Sequence, residues 1–137
     1  MKYVLMFVDS VESKEAWLQM PKDQLAAAYE PANKWFEEAE KTGRLAGGAD
    51  LMSESTTTTV RFKNGKATVT DGPFIEAKEI IGGFAIVEVR DLDEAIAMAK
   101  AWQGGSENRA VEVRPVVDHS AEIEQARTRL SETPANG

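Results

Sequence analysis

The chain of 137 residues contains no cysteine and a single histidine, His119. Without thiols there is no disulfide framework, no thiolate nucleophile and no thiolate metal site. One imidazole cannot build a two-histidine metal centre within a chain, and haem ligation would rest on His119 alone, so neither a metal nor a cofactor is expected. Long apolar runs are lacking too. Tyr3–Val8 stops at Asp9, too short for a signal-peptide core or a membrane span, and a cytoplasmic protein without membrane attachment is expected. Basic residues are outnumbered, 16 against 23 acidic, giving a net charge of −7 that repels a polyanionic backbone. Arg61-Phe62-Lys63 and Arg127-Thr128-Arg129 are too short to reverse that average, so nucleic acid is not an expected partner. No phosphate-binding glycine loop, nucleophile elbow or dinucleotide fingerprint is present.

What remains is ordinary globular material, 42% hydrophobic and 28% charged, at a length that buries one core. The continuous apolar run Tyr3–Val8 reads as a central strand covered on both faces. A short helix is expected near residues 13–19, with Pro21 as the first residue of a longer one. The apolar side of that helix is Leu25, Tyr29, Ala32, Trp35 or Phe36, and Ala39, and Gly43 stops it. Pro31 removes a backbone donor inside this helix, which predicts a kink or a break. Residues 44–51 read as a second strand weakened by glycine.

Asn64-Gly65 between two alternating segments is a strong hairpin signal, since a two-residue loop of this type needs positive φ at both positions. The register follows: Phe62 opposite Ala67, Val60 opposite Val69 and Thr58 opposite Asp71, all on the apolar side of the ribbon. A long strand over residues 80–90 leads into Asp91-Leu92-Asp93-Glu94, a capping box in which each acid satisfies an orphaned amide. Leu92, Ala95, Ile96, Ala99 and Trp102 form the core stripe of the next helix, which Gly104-Gly105 ends. Residues 110–117 form the last strand, with Val111, Val113, Pro115 and Val117 on one face. An amphipathic helix is expected over residues 120–130, before a frayed polar tail.

The order strand, helix, strand, hairpin, strand, helix, strand is α+β, a ferredoxin-like βαββαβ plan with an inserted hairpin, over residues 1–117; residues 118–137 are an extension. Helices should cover one face of the sheet. An apolar opposite face needs its own cover, which a second copy of the chain provides, so a homodimer is expected.

The chemically unusual segment is the turn Asp71-Gly72-Pro73-Phe74, followed by Glu76, Lys78 and Glu79. The hairpin register points Asp71 toward the apolar side, where a carboxylate needs partners, and Pro73 removes the amide that an Asx turn would use. Asp71 then either ties down a tight corner or serves as a general base. Glu76 and Lys78 form either a solvated ion pair or, with Glu79, the charged wall of a pocket. Arg114, next to Glu112 in the last strand, is suited to a carboxylate ligand, and Tyr29, Trp35 and Phe84 are candidate pocket walls or core residues.

Together Asp71–Glu79, Ile81-Gly82-Gly83-Phe84, Asp91-Leu92-Asp93-Glu94-Ala95 and Val111-Glu112-Val113-Arg114-Pro115-Val116 resemble the YCII-related family, specifically its DGPF branch. The resemblance implies a dimeric α+β barrel, related to proteins that isomerise, eliminate from or oxidise small cyclic compounds. It also implies an association with sigma-factor-type regulators. A His-Asp pair proposed for part of the wider family, with its histidine on the first long helix, has no counterpart, because that helix lacks histidine. Two functions follow as expectations. One is a pocket for a small cyclic or anionic molecule, with Asp71 as acid/base and Lys78 or Arg114 neutralising charge. The other is a non-catalytic ligand sensor or interaction module beside such a regulator.

Overall fold

The computed structural model of the chain describes residues 1–72 and 78–132. The apolar run at the start forms the centre of the sheet: β1 (Lys2–Ser10) lies between β5 (Glu79–Glu88) and β6 (Ala110–Pro115), and β2 (Leu45–Asp50) flanks β5. The order β2-β5-β1-β6 is antiparallel throughout, which is the ferredoxin-like arrangement. Strand alternation gives β1 two faces. Tyr3, Leu5 and Phe7 pair with Val87, Ala85 and Gly83 on the helix-covered side, and Leu5, Ala85 and Val87 have no accessible surface. Val4 and Met6 pair with Ile86 and Phe84 on the opposite side, where all four are half-buried.

Ser10 caps α1 (Val11–Leu18), its hydroxyl accepting from the Ser13 amide at 3.1 Å. In α2 (Lys22–Lys41) Pro21 is the cap rather than the first helical residue. The expected break at Pro31 does not occur, and one helix of 20 residues runs through it. Burial of Trp35 and Ala39 anchors the half beyond the proline, so packing offsets the backbone hydrogen bond that Pro31 removes.

Asp91 caps α3 (Leu92–Lys100) with its Oδ1 2.9 Å from the Glu94 amide. The expected capping box is only half formed. Glu94 turns instead to Arg90, at 2.6 Å, and Arg44, at 3.7 Å, because two guanidinium groups hold a carboxylate better than one exposed amide does. Leu92, expected in the core stripe, is 46% exposed, since as the first helical residue it precedes the turn that meets the sheet. Ala95 and Met98 carry that stripe, and the helix ends at Lys100, before Gly104-Gly105.

The hairpin of β3 (Thr58–Lys63) and β4 (Lys66–Asp71) has the expected register in full, with Asn64 at φ 52° and Gly65 at φ 76°. It forms a separate two-stranded sheet that stands apart from the main one. A short 3-10 turn, Glu54–Thr56, precedes it. Its apolar side is exposed, Phe62 at 78%, and Asp71 shares that exposure. The demand for buried partners at Asp71 is therefore removed, because that side of the ribbon is exposed among the described residues.

The helix α4 (Ser120–Glu132) buries none of its residues. His119 stands just before it, with Nδ1 3.1 Å from Glu122 Oε2 at the surface. No helix among the described residues is long and apolar enough to cross a membrane.

Candidate functional site

The helix-covered side of the sheet is sealed by aromatic rings. Phe7 stacks on Trp102 with centroids 3.8 Å apart, and Trp35 meets both edge-on at 5.5 and 5.6 Å. The Trp35 indole N–H donates to the Met98 carbonyl at 2.9 Å, so this buried polar atom is satisfied. The chain folds back over Trp102 at Gly104, where any Cβ would run into the indole.

Beside this cluster lies a cavity of about 410 Å³, within the size range of small-molecule sites. The end of β1, α1, α2, the facing parts of β2 and β5, and the segment 102–109 surround it. Phe7, Phe36 and Trp102 line its depth, and Trp17 and Tyr29, with centroids 4.8 Å apart, complete an aromatic wall. One stripe of α2 faces it: Tyr29, Ala32, Asn33, Phe36, Glu37 and Glu40 recur at helical spacing, one step round from the core residues Trp35 and Ala39. From the sheet come Asp50, Gly82 and Gly83.

Asp9, the residue that ends the first apolar run, joins these elements. Its Oδ1 accepts from the Ser10 amide at 2.8 Å and the Ser106 hydroxyl at 2.6 Å, and its Oδ2 from the Ser106 amide at 2.9 Å and the Ser13 hydroxyl at 3.3 Å. Burial pushes this carboxyl up, but the Ser106 hydroxyl, the Ser10 and Ser106 amides and the Ser13 hydroxyl outweigh burial, and its pKa lies below the ordinary aspartate value. Four donors occupy the lone-pair positions that a carboxylate offers, so Asp9 is an anchor rather than a proton shuttle. Gly105 makes room for it: φ is +79°, and a Cβ there would come within 2.7 Å of Oδ2. Arg109 ties the same loop from its other side, Nη1 donating to the Ser106 carbonyl at 3.1 Å and Nη2 to the Trp102 carbonyl at 2.9 Å.

Of the residues expected from sequence, Tyr29 lines the cavity and Trp35 lies in the core behind it. Phe84 is on the opposite face of the sheet, as its pairing with Met6 requires. Arg114 is exposed on that same face, opposite Val4. Asp71 is exposed at the foot of the hairpin, Lys78 and Glu79 are exposed where β5 begins, and Glu76 lies outside the described residues. The Lys78 carbonyl accepts from the Val11 amide at 2.9 Å. The cavity thus gathers Tyr29 and none of the other described candidates. Among the described residues no group of three His, Asp or Glu side chains could hold a metal ion.

Sequence reasoning missed Asp9, Trp17, Glu37, Glu40, Asp50, Ser106 and Arg109. Two signals were available. Asp9-Ser10 follows a core strand directly and opens a helix, which places a carboxylate and a capping hydroxyl at one strand end. Along α2, the stripe 29, 33, 37, 40 runs parallel to the apolar one and carries two acids at i, i+3.

The family model of the YCII-related domain matches residues 1–120. An uncharacterised protein of Rhizobium meliloti (strain 1021) is 27% identical over 117 residues, covering 85% of this chain and 92% of its own.

Proposed function

The chain belongs to the YCII-related family, and we propose that it is a small-molecule-binding protein whose ligand is a compact ring compound held between Trp17, Tyr29 and Phe36. The observation that carries this reading is the cavity of about 410 Å³ with aromatic walls at the end of the central strand. Flat apolar walls favour a flat apolar ligand by area and by ring stacking, and Asp9 and Arg109 keep the rim in one conformation, which lowers the ordering cost of binding. Isomerase- or lyase-like proton transfer in this cavity would fall to Tyr29, Glu37, Glu40 or Asp50, because the Asp9 carboxylate is saturated and stays ionised. Native mass spectrometry of gently purified protein tests the reading, with a retained small molecule as the expected result. The reading fails if the protein arrives empty and ring compounds leave its tryptophan fluorescence unchanged.

From the Asp71-Gly72-Pro73-Phe74 sequence we propose that the chain falls in the DGPF branch, and that it is a homodimer. The half-buried Val4, Met6, Phe84 and Ile86 on the open sheet face support it, together with the exposed Val60, Phe62 and Val69 of the hairpin. Light scattering after size exclusion checks this: a dimer is expected, Phe62→Ser should weaken it, and a stable monomer at micromolar concentration refutes it.

A further inference from the structure

The charges around the cavity are unbalanced. Among the described residues, Asp9, Glu37, Glu40 and Asp50 line it, against one cation, Arg109. Asp9 is saturated by its four donors, and the Arg109 guanidinium donates to the neutral Ser106 and Trp102 carbonyls, which leaves one positive charge against four negative ones. None of the four carboxylates has an ion-pair partner among the described residues, and Glu37, Glu40 and Asp50 are the three not saturated as Asp9 is. Glu37 and Glu40 stand one helical turn apart, a like-charge spacing that a helix tolerates at a small cost and that a cation between them would relieve. On the other side of the opening Asp50 adjoins Gly83, a Cβ on which would sit 3.4 Å from Oδ1.

Between these acids the wall is aromatic, the Trp17 and Tyr29 rings being tilted by 51° to each other. Aromatic faces attract cations through their quadrupole, so rings and carboxylates favour the same charge. An anion would meet net repulsion, because the single Arg109 charge is outweighed by the carboxylates around the opening.

Resting on the reading of this cavity as a ligand pocket, we propose that it selects an organic cation: a ring-sized amine or quaternary ammonium compound. Its apolar body lies against Trp17, Tyr29 and Phe36, with its charge toward Glu37, Glu40 and Asp50. This replaces the anionic ligand expected from Lys78 and Arg114, neither of which reaches the cavity.

The test uses the full chain and three near-isosteric probes, benzylammonium, benzyl alcohol and benzoate, titrated at neutral pH and low salt with tryptophan fluorescence as the readout. Benzylammonium should bind about tenfold tighter than benzyl alcohol, with benzoate weakest, and added salt should erode only the ammonium advantage. In Glu37→Gln/Asp50→Asn protein, both positions being exposed and tolerant, the ammonium-to-alcohol affinity ratio should fall toward one. Benzyl alcohol or benzoate binding as tightly as benzylammonium overturns the cation preference and leaves the pocket standing. A preference that survives the double substitution overturns the assignment to these carboxylates. No binding by any of the three removes the pocket reading as well.

Discussion

Replacing Asp9 by alanine removes one acceptor group and strands four donors, two amides and two hydroxyls. A hydrogen bond to a charged group contributes about 1.5–3 kcal/mol, but water can reach this half-buried site and re-solvate part of the set. The expected net loss is about 2 kcal/mol, or a fall in Tm of about 6–10 °C for a chain of this size. Urea unfolding followed by tryptophan fluorescence measures it, with an unchanged slope showing that the denatured state is the same.

The pH dependence sharpens the test. The folded pKa of Asp9 lies below the ordinary value, so its stabilisation is fully present above the unfolded pKa of about 3.9 and is lost as pH falls through the folded pKa. The stability gap between wild type and Asp9→Ala should therefore be constant from neutral pH to about pH 5 and should narrow below about pH 4. A gap that stays constant to about pH 3, or widens in acid, would refute the account of Asp9 as an ionised anchor.

Gly105→Ala forces a side chain into a left-handed conformation and against Asp9 Oδ2; a loss of about 1–3 kcal/mol is expected in the urea midpoint, and a neutral result contradicts the geometry. Trp35→Phe shortens the packed ring and leaves the Met98 carbonyl unpaired, which together should cost at least about 1–3 kcal/mol by the same measurement. Asp71→Asn, at an exposed position away from the cavity, should change stability by less than about 0.5 kcal/mol and leave benzylammonium affinity unaltered; a large drop in affinity would restore Asp71 as a site residue.

Local chemistry was legible along the chain wherever it acts over a few residues. The Asn64-Gly65 turn sets the parity of its own strands, and from that parity alone Thr58 opposes Asp71. Asp91 caps the amide three residues on because cap geometry is short-ranged. Glu94 is held partly for the opposite reason: beside its local partner Arg90 at 2.6 Å it also faces Arg44 at 3.7 Å, which is 50 residues away in sequence and comes near only when β2 flanks the sheet.

The turn at Asp71 shows the limit most clearly. Its register was set by the sequence, but whether the apolar side of the ribbon would be buried depended on where the hairpin goes, and it stands off the main sheet. The candidate site depended on folding even more. Asp9 and Ser106 are 97 residues apart and meet because β1 is central and β6 returns beside it, bringing the loop before β6 to the strand end. The βαββαβ order, the hairpin pairing and the Asp91 cap were thus determined by sequence, since hydrophobic period and turn chemistry act within a few residues. The cavity, its aromatic wall and its unbalanced carboxylates were decided by the tertiary structure, because only the packing of α1, α2 and the 102–109 loop on one sheet end brings those side chains together.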